Sequence, residues 1–384
     1  MAFWRRGKSK EQKQLEEQGY ISRSQGEMIW RAFRRHRVGR IGLVVVLVLL
    51  TLSIFADFFS PYSYKTQFNK YTYTGPSILH FRSEDGFSLR PFVYRLDVTF
   101  DSETFERLYI EDTSKRYYLS FFVRGEPYRL LGVFPTNVHF FGVRAEDGSD
   151  DAMIYMFGAD RFGRDVLSRT LIGGRVSMAV GPLVLLIIVP IAIVMGGLSG
   201  YYGGGIDMFM QRLGEVFMAI PGLPILLVLG SLLAGMGLSA TIRFLGIIAS
   251  LSLISWAGMA RVIRGQVLAL REMDFVTAAK SAGANDMRII LRHIIPNITS
   301  YLIVAGTLII PGMMLTEAAL SFLGFGIQEP MSSWGQLLNQ ANNIASIERA
   351  PWLLVPGIFI VVSVLAFNFL GDALRDAVDP FSIV

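Results

Sequence analysis

The sequence contains no cysteine and only four histidines among its 384 residues. Without cysteine there can be no disulfide framework, thiol nucleophile or cysteine-based metal site. The histidines are far apart along the chain, at His36, His80, His139 and His293, so a metal cluster built from them is not expected. Charge is scarce as well: 17% of the residues are charged, against roughly 25% in a soluble domain. The composition argues against an ordinary soluble enzyme.

What the sequence has instead is long apolar blocks, each close to the roughly 20 residues needed to cross ~30 Å of hydrocarbon. The predicted spans are Ile41–Phe59, Ser177–Gly200, Val216–Ala234, Ile242–Ala260, Ile298–Leu320 and Trp352–Gly371. The first block begins late and ends without a small-residue cleavage site, so we expect it to remain as a span rather than be removed as a signal peptide. The predicted fold class is therefore an all-α integral membrane protein with six transmembrane helices.

Basic residues predict the orientation of these spans. Residues 1–40 hold eleven Lys/Arg against four acids, and the loop 261–296 holds six against three. Because short basic loops stay in the cytoplasm, we expect both termini and this loop on the cytoplasmic side of a bacterial inner membrane. The basic N-terminal segment suits anionic lipid headgroups, and nucleic-acid binding is not expected.

A segment of about 100 residues, 60–157, separates the first two spans and is predicted to lie outside the cell membrane, in the periplasm. Its runs Arg90–Phe100 and Arg116–Phe134 are rich in Phe, Tyr and Val, which predicts a small β-rich domain. The stretch Arg124-Gly125-Glu126-Pro127 is expected to divide the second run as a hairpin turn. The aromatic residues either form the core of this domain or provide a docking face for a soluble partner.

The predicted cytoplasmic loop 261–297 contains a helix–turn–helix pattern. The first helix is expected to end near Ala282, with Gly283 at the position after it, where positive φ favours glycine. A second short helix is expected to begin at Asn285 or Asp286, which are good N-terminal residues. Its apolar residues recur at helical spacing and are predicted to share one face: Met287, Ile290, Leu291 and Ile294.

Such an amphipathic helix either lies on the lipid surface or inserts into a groove of a partner protein. The small side chains of Ala278 and Ala279 permit a close approach by another backbone and favour the groove. Pro296 then marks the entry into the fifth span.

This loop resembles the coupling loop of the permease subunits of binding-protein-dependent ABC importers. That family's pattern is Glu-Ala-Ala, three residues, Gly, nine residues and Ile-x-Leu-Pro. Thr277-Ala278-Ala279, Gly283, His293, Ile295 and Pro296 stand at the matching positions, with Thr277, His293 and Ile295 as departures. The resemblance implies contact with a cytoplasmic ATPase by Thr277, Ala278, Ala279, Gly283, Asn285, Asp286, Met287, Arg288, Ile290, Leu291, Ile294 and Pro296.

Further runs are similar to the dipeptide/oligopeptide branch of that family. These runs are Gly158 to Arg169, Asp207 to Pro221, Glu317 to Gly326, Ser333-Trp334-Gly335 and Asn368 to Pro380. They define a permease core over 158–380, followed by a short tail, 381–384. The long segment between the first two spans resembles the Yej-type peptide permeases, whose relatives import microcin C. The resemblance implies the type I ABC importer permease fold.

The same resemblance implies a peptide importer assembled from several subunits. The expected partners are a second homologous permease, a cytoplasmic ABC ATPase and a periplasmic peptide-binding protein. ATP and Mg²⁺ are expected on the ATPase, and this chain is expected to hold no cofactor and to have no catalytic site. Gly7-Lys8-Ser9 ends like a phosphate-binding loop, but Ala2 stands where that loop needs glycine.

Ionisable residues near membrane depth are few, namely Asp57, Arg243, Glu317 and Asp372. Each lies near a predicted span end, where snorkelling or capping suffices to explain it, and Glu317, the deepest, is the best candidate for the substrate pathway. An ion-driven secondary transporter is the alternative reading, but it requires more charged residues in mid-span. A membrane-embedded hydrolase is a third, but no nucleophile elbow or His-Glu-x-x-His motif occurs.

Overall fold

A computed structural model describes residues 25–83, 86–103, 107–145 and 152–378. Most of the predicted N-terminal segment 1–40 lies outside the described residues, as do the tail 381–384 and the Asp379-Pro380 end of the last motif. Within them, the helices are α1 Gln25–Arg35, α2 Arg37–Ile54, α3 Ala56–Phe59, α4 Val166–Tyr202, α5 Gly204–Ala219, α6 Gly222–Gly235, α7 Ala240–Leu270, α8 Asp274–Ser281, α9 Asp286–Ile289, α10 Ile295–Phe322, α11 Trp334–Leu338, α12 Ile344–Arg349 and α13 Val355–Val378.

Five helical segments of the described chain are long and apolar enough to cross a membrane: Arg37–Ile54, Val166–Tyr202, Ala240–Leu270, Asp286–Phe322 and Pro351–Val378. A sixth span results if α5 and α6 are counted as one bent pair. The integral membrane character predicted from the sequence is therefore confirmed, with five or six spans.

The predicted third span, Val216–Ala234, contains a sharp break. Helices α5 and α6 meet at an angle of 78°. Pro221 explains the break, because it has no N–H to donate and it disfavours helical backbone in the residue before it. Ile220 accordingly has φ −75° and ψ 125°, an extended conformation.

The segment between the first two spans forms one antiparallel sheet in the order β1-β2-β3-β4. The strands are β1 His80–Ser83, β2 Gly86–Phe100, β3 Arg107–Leu130 and β4 Phe134–Ala145. One face packs on a small core formed by Val93, Tyr117, Val143 and Ile154, which are all buried. Strands are thus present where β-structure was predicted.

The hairpin turn of this sheet is not at Arg124-Gly125-Glu126-Pro127, and that expectation was wrong. Strand β3 continues through those residues to Leu130, and the turn follows at residues 131–133. The register instead shifts between the pairs Arg124↔Val138 and Tyr128↔Thr136. Because proline cannot donate to the ladder, Pro127 is tolerated at such a bulge.

Helices α4 and α7 pack closely because α4 presents glycine to its neighbour. A Cβ added to Gly196 would lie 2.4 Å from the carbonyl oxygen of Ala260, and one added to Gly200 would lie 2.7 Å from that of Arg264. Glycines four residues apart on one helix face are the usual means by which membrane helices bring their backbones together.

The C-terminal end of the first span is fixed against α4. Arg175 donates to Asp57 Oδ2 at 2.7 Å and to the Ser53 carbonyl oxygen at 2.7 Å. Asp57 and Arg175 therefore lie at one depth. Helix α4 begins nine residues earlier, at Val166, so its first turns extend about 13 Å beyond that depth.

Candidate coupling site

The loop between α7 and α10 has the local structure that its sequence predicts. Helix α8 ends at Ser281, and Gly283 has φ +76°. The Asn285 side chain then caps α9 by accepting a hydrogen bond from the Arg288 N–H at 2.9 Å. The predicted helix end, glycine position and second helix start are all confirmed as local structure.

The second helix had been predicted as a short element of its own, but it is not separate from the span that follows. Helix α9 continues through a π-helical segment, Ile290–Ile294, directly into α10. The Ile295 N–H bonds to the Ile290 carbonyl oxygen, five residues back, just before Pro296. One uninterrupted helical segment of 37 residues, Asp286–Phe322, thus joins the loop to the fifth span.

Side-chain contacts attach this loop to the end of α4. The Tyr201 hydroxyl donates to Asp286 Oδ1 at 2.8 Å, and the Lys280 ammonium lies 5.1 Å from the centre of the Tyr201 ring. Arg271 also donates to the Gly200 carbonyl oxygen at 3.2 Å. The loop is therefore held on the ends of the spans by side chains from both of its helices.

The four apolar residues predicted to share one face are divided between two faces. Ile290 and Ile294 are buried in the core, together with Ile289, whereas Met287 and Leu291 are 51% and 54% exposed. The expectation of a single apolar face was wrong because the helix packs on the spans along one side and presents its other side to the surroundings. Of the remaining predicted contact residues, Ala279 is half-buried and the others are exposed: Thr277, Ala278, Gly283, Asn285, Asp286, Arg288 and Pro296.

An ion pair beside this loop was not predicted from the sequence. Arg264 donates to both carboxylate oxygens of Asp207 at 2.6 Å, which ties α5 to α7, and the pair is partly buried. The Ser199 hydroxyl completes the cluster with a bond to Asp207 Oδ1. An acid after one span and an arginine near the end of another were the available signal, but nothing in the sequence pairs them.

The predicted pathway residue Glu317 is fully buried. Its Oε1 accepts hydrogen bonds from the hydroxyls of Ser321 at 2.6 Å and Ser333 at 2.8 Å. These contacts connect α10 to the start of α11. Its part in a substrate pathway stays a prediction.

The family model of the binding-protein-dependent transport system inner membrane component matches residues 174–383, more than half of the chain. The chain belongs to this family. A second model, the N-terminal transmembrane domain of oligopeptide transport permease C, matches residues 24–76. The first match contains the whole of the loop 261–297.

Individual relatives point to the same group of permeases. The oligopeptide transport system permease protein OppC of Haemophilus influenzae is 44% identical over 59% of this chain and 70% of its own length. The dipeptide transport system permease protein DppC of Bacillus subtilis is 42% identical over 59% of this chain and 68% of its own length. The resemblance to the OppC/DppC type of permease is confirmed.

At the opposite end of α4 from the loop 261–297, a charged cluster that is mostly buried joins the start of α4 to the segment before α11. Glu329 pairs with Arg164 at 2.9 Å and with Arg169 at 3.1 Å, and Asp160 pairs with Arg164 at 2.8 Å. The neighbouring Asp165 caps α4 by accepting from the Ser168 N–H at 2.7 Å. Both arginines and both aspartates are almost fully buried.

The stability of the permease is expected to fall as the pH rises through the range in which Asp165 ionises. Burial raises the pKa of Asp165 from 3.8 to about 6, against the opposing effect of its hydrogen bonds from Ser168, and the nearby Asp160 raises it further. Between pH 3.8 and about pH 6 the folded chain binds more protons than the unfolded chain, so the free energy of unfolding decreases as the pH rises.

Asp165→Asn should preserve the helix cap and remove this decrease, which amounts to about 3 kcal/mol. The measurement is the unfolding temperature in detergent between about pH 4 and pH 7, for the wild type and the variant. If the unfolding temperatures of the two proteins change with pH in parallel over that range, the raised pKa of Asp165 is contradicted.

Proposed function

We propose that this chain is one transmembrane subunit of an ATP-driven importer that moves peptides or peptide-like compounds into the cytoplasm. The relatives named above are oligopeptide and dipeptide transport permeases, and this supports peptides as the substrate class. The observation that carries the ATP-driven part is the loop after α7, whose exposed Met287 and Leu291 extend from a helix continuous with a span.

The proposed partners are those of a binding-protein-dependent system. A cytoplasmic ABC ATPase binds and hydrolyses ATP with Mg²⁺, a second homologous permease completes the pathway, and a soluble periplasmic protein delivers the peptide. Residues 285–294 seat in a groove of the ATPase, with Met287 and Leu291 as the apolar contacts. Closure of the ATPase then displaces the helix and favours one orientation of the pathway over the other.

The proposed orientation places both termini and the coupling loop in the cytoplasm and the four-stranded sheet in the periplasm. The excess of basic residues in 1–40 and 261–296 supports this topology. The presence of a sheet between the first two spans also supports the finer proposal of a type I permease of the Yej type. An insert at this position is what that resemblance requires.

The proposed function predicts that the chain purifies together with an ATPase. Affinity purification from detergent-solubilised membranes of the native bacterium, followed by mass spectrometry, should recover an ABC ATPase and a second permease. An unrelated membrane protein carrying the same tag is the control. Recovery of the chain alone, together with peptide uptake that an ion gradient drives in vesicles lacking any ATPase, would contradict the proposal and favour a secondary transporter.

A further inference from the structure

One end of the four-stranded sheet exposes large apolar side chains that the small core does not use. We call this the aromatic end: it consists of Phe121 and Phe122 on β3, and of Leu131, Val133 and Phe134 at the β3–β4 tip, which lies about eight residues further along the hairpin. Phe122 is 65% exposed and Phe134 is 63% exposed. Side chains of this kind are unfavourable on a surface that meets only water.

The Phe121–Phe122 part of the aromatic end lies beside α3, the short helix that follows the first span. The ring of Phe122 lies 6.2 Å from that of Phe58, and the ring of Phe140 lies 5.8 Å from Phe58 and 5.4 Å from Phe59. Phe140 also contacts Phe121, at 5.5 Å. Because Phe58 and Phe59 belong to α3, these rings form one continuous aromatic group with the helix that directly follows the span.

The opposite end of the sheet is held further from that boundary. Phe100 pairs with Arg107 at the far end of the β2–β3 ladder, and Arg107 donates to the Thr72 hydroxyl at 2.7 Å. The next residue, Tyr73, donates its N–H to the Asp160 carbonyl oxygen at 3.0 Å. Asp160 precedes the start of α4, which extends about 13 Å beyond the depth of Asp57.

The sheet is thus inclined to the membrane, and its aromatic end is the end closer to the membrane. Phe92 on β2 pairs with Tyr118 on β3. Phe100 lies eight residues beyond Phe92 along β2. Phe122 lies four residues beyond Tyr118 along β3, in the opposite direction. Twelve residues of extended chain separate the two ends by about 40 Å. The two ends therefore meet different surroundings.

We propose that the aromatic end rests in the headgroup region of the lipid leaflet at the outer end of the first span. Lipid suits this surface because aromatic residues concentrate at membrane–water interfaces and this group is continuous with a span. The exposed arginines Arg124 and Arg129 flank the apolar residues and are placed to meet lipid phosphates. The proposal depends on the position of the first span alone, and holds whichever substrate is carried.

The absence of native cysteine makes a direct test possible. Phe122→Cys and Phe134→Cys are each labelled with a nitroxide in the full-length protein, reconstituted in phosphatidylethanolamine–phosphatidylglycerol vesicles. Phe100→Cys is the matched control, since Phe100 is 64% exposed at the other end of the sheet. The measurement compares relaxation by oxygen, which partitions into lipid, with relaxation by a water-soluble nickel chelate.

The ratio of oxygen to nickel accessibility should be several-fold higher at positions 122 and 134 than at position 100. Equal ratios at the three positions would overturn the proposal and leave the aromatic end in water. Low accessibility to both reagents would also overturn it, because a protein partner would then cover the surface. Phe122 has φ +55°, so Phe121→Cys, at a position that is 59% exposed beside the same rings, carries the test if that variant does not fold. If the labelled positions show no contact with lipid while the protein still takes up peptide, this inference is rejected and the proposed function stands.

Discussion

Replacing both Met287 and Leu291 with aspartate is expected to abolish ATP-dependent peptide uptake while the chain still inserts into the membrane. In the proposed complex both side chains enter an apolar groove of the ATPase, and losing each burial costs about 2 kcal/mol. Placing a carboxylate in such a groove adds a desolvation cost of several kcal/mol. A total of about 5 kcal/mol or more weakens association by more than about a thousandfold.

The fold of the chain itself should tolerate this double change. Met287 and Leu291 are more than half exposed, and Ile289, Ile290 and Ile294 on the other side of the same helix hold it against the spans. The Asn285 cap and the bond between Tyr201 and Asp286 also remain. The swap Met287→Leu with Leu291→Met is the matched control, since it preserves apolar volume at both positions.

Two measurements distinguish lost coupling from lost folding. The first is recovery of the ATPase with the tagged permease, and the second is peptide uptake into vesicles of the reconstituted complex. The aspartate pair should fail in both while eluting normally in size-exclusion chromatography, and the swapped pair should behave as the wild type. Wild-type uptake by the aspartate pair would show that these side chains do not make the coupling contact.

Gly196→Ala is expected to destabilise the permease markedly even though only one methyl group is added. The new Cβ would lie 2.4 Å from the backbone oxygen of Ala260 and 3.0 Å from Cβ of Ile263, so helices α4 and α7 must move apart. Overpacking of this kind costs about 1–3 kcal/mol, and backbone atoms on the opposing helix leave little room for relaxation. A lower unfolding temperature in detergent is the expected observation.

The same helix pair supplies the controls for this substitution. Gly258 and Gly265 lie in α7, and a Cβ added at either would meet nothing within 4 Å. Alanine there should be neutral or stabilising by up to about 1 kcal/mol, since glycine weakens a helix interior. If Gly196→Ala is as stable as Gly258→Ala, the close packing of α4 on α7 is contradicted.

Features set by neighbouring residues in the sequence were predictable. Long apolar blocks predicted the spans because the thickness of a bilayer fixes the length of helix needed to cross it. The turn at Gly283 and the cap at Asn285 were predictable because both satisfy backbone groups within a few residues. These are local requirements and leave direct marks in the sequence.

Features that depend on residues far apart in the sequence were not predictable. The division of Met287 and Leu291 from Ile290 and Ile294 depends on which side of the helix meets the spans, and periodicity alone does not define that side. The pairing of Asp207 with Arg264 joins residues 57 positions apart. The hairpin turn was misplaced because Gly125 and Pro127 are typical of a bulge as well as of a turn.

The continuity of Asp286–Phe322 has a mechanical consequence. A straight helix of 37 residues is about 55 Å long, so a tilt of about 5° at its loop end shifts its far end by about 5 Å. Near that far end, Glu317 is bonded to Ser333 at the start of α11. A small rotation imposed on one side of the membrane would therefore reach the other as a displacement wider than a water molecule. The π-helical segment at Ile290–Ile294 and the turn at Pro311 are the places where bending would absorb that motion.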